Sequence, residues 1–110
     1  MSTAFTVHFT AGAEQDLAEI HDWIVRDRGT EAGDAFLDRM LARVDSLSGF
    51  PDRGAVPPEL DALGIGEFRQ LSDPPWRIVY RVILDHVFVL LIADGRRDFR
   101  RLLERRLLAG

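Results

Sequence analysis

Three arginine doublets close the chain: Arg96-Arg97, Arg100-Arg101 and Arg105-Arg106. Arg77 and Arg81 sit four residues apart in WRIVYRVI, and Arg69 precedes them in EFRQL. A guanidinium is a planar, permanently charged fork that pairs bidentately with carboxylates and phosphates. The chemistry offered is therefore recognition of anions. Little else is on offer. With no cysteine there is no disulfide, thiolate nucleophile or thiolate zinc site. His8, His21 and His86 have neither metal-ligand spacing nor an obvious serine nucleophile beside them, so no metal and no cofactor is expected. Gly64-Ile65-Gly66 is too short for a phosphate-cradling loop.

The cations are unevenly placed. Residues 1–68 hold 5 Arg against 13 acids, a balance of -8, and residues 69–110 hold 9 Arg against 5 acids, a balance of +4. Two readings follow from that asymmetry. Either the halves neutralise each other across the fold, or a basic face exists for phosphates, carboxylates or an acidic partner. The acids of the first two helical segments are interleaved with Arg, which fits a solvated face.

A chain of 110 residues, 46% hydrophobic and 29% charged, reads as one globular domain over 1–110. No apolar run reaches the roughly 18 residues of a membrane span. The start, MSTAFTVHF, has no charged segment ahead of a long apolar one, so a cytoplasmic location is expected.

The arginines need elements to place them. FTVHF (Phe5–Phe9) alternates like a short strand. Thr10 is suited to cap a helix with Ala13, Leu17, Ile20 and Ile24 on one face, Trp23 on its flank, and Gly29 as its stop. Thr30 is expected to cap a second helix carrying Phe36, Met40, Val44 and Leu47, ended by Gly49-Phe50-Pro51. So short a link predicts a helical hairpin. Pro58 and Glu59 open one helical turn through Leu63, followed by three strands: EFRQL (67–71), WRIVYRVI (76–83) and VFVLLIA (87–93). SDPP and Asp85-His86 supply the turns, and Asp94-Gly95 leads to a last helix over 98–108. The order β-α-α-β-β-β-α predicts an α+β domain, a helical hairpin on a small, mostly antiparallel twisted sheet with a C-terminal helix.

Period two sorts the central strand. Trp76, Ile78, Tyr80 and Val82 face the helices, while Arg77, Val79, Arg81 and Ile83 take the other face, the two guanidinium groups roughly 13 Å apart. Arg69, Arg96 and Arg97 are expected to border that second surface, with Asp94 and Asp98 as available ion partners.

The run FPDRG-x-VPPEL-x-x-LGI-x-x-FRQL, then PPWRIVYRV and VLLIADGRRD ahead of an Arg/Leu-rich helix, resembles the RelE/ParE superfamily of bacterial type II toxins over nearly the whole chain. The resemblance implies a toxin held inactive in a hetero-oligomer with a cognate, ParD-like antitoxin whose N-terminal part binds DNA. It implies no membrane and no specific DNA binding by this chain. RelE-like members cut messenger RNA on the ribosome without metal; ParE-like members inhibit DNA gyrase. Matched to RelE, Arg77 and Arg97 fall on its phosphate-binding arginines. Its paired lysines fall near Phe68 to Gln70, in a chain with no Lys, and its C-terminal-helix Tyr falls on Leu103. The resemblance therefore favours the ParE-like branch, with no catalytic residues and a target surface of Arg69, Arg77, Arg81, Arg96 and Arg97. A net charge of -4 also suits a protein target better than a ribosome. A third possibility is an antitoxin-binding module without toxicity.

Overall fold

Thr10 ends the first strand and starts the first helix with the same side chain. Its Oγ1 donates to the Val89 carbonyl at 2.9 Å and accepts from the Ala13 amide at 3.3 Å, capping the helix as its sequence position suggests. A computed structural model describes residues 4–108 of the chain. Strand β1 spans Thr6–Phe9, helix α1 Ala11–Arg28 and helix α2 Thr30–Asp45, closed by a 3-10 turn at Ser46–Ser48. Between the helices stands one residue, Gly29, at φ 97°, backbone that a side chain would disfavour. Gly29 is thus both the end of α1 and the cap position of α2; Thr30 lies inside α2 and makes no capping bond.

One helical turn, α3 (Pro58–Asp61), precedes β2 (Arg69–Asp73), β3 (Trp76–Ile83) and β4 (His86–Asp94). Strand β2 begins two residues later than its sequence suggests, and Ser72 and Asp73 of the expected turn complete it. Ile83 pairs with His86, so the hairpin turn is Leu84-Asp85, one residue earlier than expected, with Leu84 at φ 55°. The sheet order is β1-β4-β3-β2, with β1 parallel to β4 and the other pairs antiparallel. The last helix is regular only over α4 (Phe99–Leu103), capped by Asp98, and widens to a π turn over Glu104–Leu108. Among the described residues, no helix is long and apolar enough to cross a membrane.

The sheet is covered on both faces. Leu17, Ile24, Phe36, Met40 and Val44 of the helical hairpin bury Ile78, Tyr80, Val87, Val89 and Ile92. Leu60, Phe68, Phe99, Leu102 and Leu103 cover Val79, Leu91 and Ala93 on the other side. A bulge makes both possible: Val79 pairs with Leu91 but Tyr80 pairs with Val89, leaving Leu90 as the extra residue. Past Val89, β4 has outrun β1. Asp16 then accepts from the Ile92 amide at 3.0 Å, and Arg106 donates to the Leu90 carbonyl at 3.0 Å. The two side chains also pair with each other at 2.9 Å. They satisfy the backbone groups that a longer β1 would have bonded.

Tyr80 fixes the loop before α3. Its buried hydroxyl donates to the Pro51 carbonyl at 2.7 Å and accepts from the Gly54 amide at 3.0 Å. A Cβ at Gly54 would stand 2.6 Å from that hydroxyl, so only glycine allows the approach. Tyr80→Phe leaves a buried N–H and C=O without partners. The expected loss is about 1–3 kcal/mol, read as a lower urea midpoint at an unchanged denaturant slope.

Candidate functional site

Arg77 is the centre of a small polar network beneath α4. Its Nε donates to Gln70 Oε1 at 2.7 Å, and its two terminal nitrogens donate to Glu59 Oε1 and Oε2 at 2.7 and 2.8 Å. The guanidinium lies 3.6 Å over the centre of the Phe99 ring. With 13% of its side chain exposed, Arg77 links α3, β2, β3 and α4 and has little surface left for a visitor. The Arg77 hydrogen bonds hold the Glu59 carboxyl below its usual 4.5, against the opposing effect of burial. Glu59 reads in sequence only as the start of a helical turn; eighteen residues separate it from Arg77, and no local pattern links them.

The five arginines expected on one surface divide between the two sides of the sheet. Arg81 shares the Arg77 face, is 41% exposed, and stands 3.6 Å from Glu67. Arg69 pairs with Tyr80 in register and so belongs to the opposite face. There it donates to the Gly54 carbonyl at 2.7 Å and supports the loop that Tyr80 holds. Arg96 doubles back on Asp94, at 2.6 Å, and remains 79% exposed. That bond lowers the Asp94 carboxyl and raises Arg96. Asp98, the other candidate ion partner, accepts instead from the Arg101 amide at the start of α4.

Arg97 has no carboxylate within 4.0 Å and no side-chain hydrogen bond among the described residues. It lines a cleft of about 420 Å³ between α1 and the ends of β3 and β4, walled by Ile20, Trp23 and Trp76 and edged by Glu19 and Asp94. A second cavity of about 360 Å³ shares both tryptophans and Asp94, with Arg28, Arg39 and Arg96 around it. Both lie on the helical-hairpin side. Arg96 and Arg97 therefore flank a tryptophan-walled groove that sequence periodicity, which assigns Trp76 to packing and Trp23 to a flank, gave no reason to expect.

The two arginines of the nuclease alternative accordingly point to different places, Arg77 into its network under α4 and Arg97 into the cleft. Leu103, where the nuclease reading needs a proton-exchanging Tyr, is fully buried. The remaining Tyr80 lies in the helix-side core, as its alternation predicts. Among the described residues no group of three or more His, Asp or Glu is placed to hold a metal.

A family model described as the ParE toxin of the type II toxin-antitoxin system parDE matches residues 7–99. The chain belongs to the ParE toxin family. It is one of the toxins of type II toxin–antitoxin systems within the RelE/ParE superfamily. No curated protein matches it. Among solved structures, that of a chromosomal ParDE toxin–antitoxin system from P. aeruginosa is similar with a TM-score of 0.71 at 23% identity, over 84% of this chain and 98% of that one. The RelBE2 toxin–antitoxin complex from Mycobacterium tuberculosis gives a TM-score of 0.59 at 20% identity, over 83% and 98%. A free E. coli RelE toxin carrying two arginine substitutions gives 0.55 at 16%, over 94% and 99%. These likenesses carry the fold, which is the α+β arrangement expected from the order of elements.

The Glu59–Arg77 pair has a pH signature. A carboxyl held below its ordinary value adds stability that is complete above about 4.5 and is lost as pH falls through the lowered folded-state value. Glu59→Gln should cost about 1–3 kcal/mol near neutrality. The difference from the parent should shrink as denaturation midpoints are followed downward from pH 5.

Proposed function

We propose that this chain is a ParE-like toxin that arrests growth by binding DNA gyrase and blocking replication, and that a ParD-like antitoxin neutralises it in the cytoplasm by forming a hetero-oligomer with it. The observation that carries the non-enzymatic reading is the separation of Arg77 from Arg97. A metal-independent nuclease needs its cations gathered around one phosphate, with a proton-exchanging partner beside them. Here Arg77 is held by Glu59, Arg97 faces another cleft, and Leu103 has no proton to exchange.

Of the five arginines in the proposed target surface, Arg96, Arg97 and Arg81 have the reach to meet another protein. Arg69 and Arg77 set the loop and the sheet face that hold them in place. Charge at the edge of such an interface chiefly governs association rate and register, with apolar contacts supplying affinity. The exposed Trp23 beside Arg97 provides that apolar component.

The test is supercoiling by purified gyrase with the purified chain added. Inhibition is expected. The Arg96→Ala/Arg97→Ala double variant should need at least about tenfold more protein, equivalent to some 1.4 kcal/mol, at an unchanged melting temperature. Unchanged supercoiling together with cleaved mRNA in a translating extract would establish the RelE-like reading instead. Normal growth on expression without antitoxin would point to an antitoxin-binding module that lacks toxicity.

A further inference from the structure

Further along the same face of α2, beyond Arg39, which also lines the tryptophan groove, lies a cavity of about 550 Å³, between the end of that helix, the loop after it and β2. Its walls include Arg39, Arg43, Arg53, Ser46 and Asp73. Three arginines face one aspartate, and Arg39 already holds that aspartate with two hydrogen bonds. Arg43 and Arg53 have no carboxylate within 4.0 Å among the described residues. We propose that this cavity binds a phosphate group.

The cations are arranged but not used. Arg53 donates to Ser46 Oγ at 2.8 Å, and that hydroxyl in turn donates to the Arg43 carbonyl at 2.6 Å, which fixes Arg53 beside Arg43. Arg43 itself makes a single hydrogen bond, from Nη2 to the Ser72 carbonyl at 3.1 Å. Its Nε is shielded from solvent and has no partner among the described residues. A cation in the last turn of α2 is favoured by the helix dipole, which accounts for its charge but leaves that N–H unexplained. A buried donor left without an acceptor is costly, and an anion in the cavity relieves it. Turning the guanidinium inward breaks one hydrogen bond and presents Nε and a terminal nitrogen together as a fork.

Charge and shape select the ligand. The walls carry a surplus of two positive charges, Arg43 and Arg53, after Arg39 and Asp73 neutralise each other. A phosphate dianion cancels that surplus and offers enough oxygens for both guanidinium groups. A single carboxylate would leave one cation uncompensated. The phosphate can come from a free ion or phosphomonoester, or from a nucleic-acid backbone. Nothing in this assignment depends on gyrase being the target.

The experiment follows the Arg43 Nε–H resonance of the ¹⁵N-labelled full chain. Inorganic phosphate is titrated against chloride at equal ionic strength. A saturable shift at Arg43 is expected. Arg43→Lys, followed through the Arg53 Nε–H because it removes the Arg43 signal, keeps the charge but loses the fork, and Arg53→Gln loses a charge; each should weaken binding at least about tenfold. Arg100→Gln, at a site paired with Glu104 on α4, should leave it unchanged. An oligothymidylate that shifts the same resonance and displaces phosphate would make the source a nucleic-acid backbone; phosphate binding without oligonucleotide binding would make it a small phosphate. No saturable shift, or equal binding by Arg43→Lys and Arg53→Gln with both variants folded, overturns the assignment.

Discussion

From Val87 to Ala93, strand β4 carries no polar side chain, and every other part of the domain answers that fact. Side chains of a strand alternate, so a continuous apolar run demands cover on both faces. The helical hairpin supplies one cover and α4 with α3 the other. The bulge at Leu90 shifts the run's alternation so that Val89 and Ile92 face one layer and Leu91 and Ala93 the other. Where β1 ends, Asp16 and Arg106 take over the backbone groups of Leu90 and Ile92. A polar residue at Val89 or Leu91 would bury a group with no partner beneath one of the two layers.

That constraint also decides the fate of Arg77. A guanidinium on a sheet face beneath a helix cannot stay without an anion, because an uncompensated buried charge is strongly destabilising. Glu59 reaches it from α3, Gln70 takes its remaining Nε–H, and Phe99 lies under its plane. The position that reads as an outward-facing cation is thereby converted into a brace between the C-terminal helix and the sheet. Arg81, four residues further along the same strand and on the same face, stays 41% exposed with Glu67 beside it.

The elements were legible because each rests on a local cause. Thr10 caps α1, Gly29 supplies the left-handed joint, and alternation in WRIVYRVI assigns Tyr80 and Arg77 to opposite faces. Less legible were features set by partners distant in the chain. Thr30 looks like a cap, yet the one-residue joint absorbs it into the helix. Arg69 looks like a companion of Arg77, but register opposite Tyr80 sends it to the other face, and no single-strand pattern reveals register. The cavity with Arg43 and Arg53 went unseen for the same reason, since residues of α2 and the following loop meet there across β2.

The uneven charge along the chain resolves in the same way. Arg69, Arg77, Arg81 and Arg106 of the basic half pair with Asp52, Glu59, Glu67 and Asp16 of the acidic half. Arg96 and Arg100 take acids from their own half. Much of the apparent basic face is thus spent internally, in bonds that tie late elements to early ones. Among the described residues of the basic half, Arg97, Arg101 and Arg105 are left without a carboxylate within 4.0 Å; Arg101 and Arg105 stand exposed on the C-terminal helix, and only Arg97 lines a groove. Arg97 stands at one groove with two tryptophans, and Arg43 and Arg53 stand at a cavity with no apolar wall of comparable size. An interface that combines an aromatic wall with one free cation suits a protein surface, whereas paired cations around a polar cavity suit a compact anion. The two sites meet at Arg39, which lines both the tryptophan groove and the arginine cavity and is held there by Asp73.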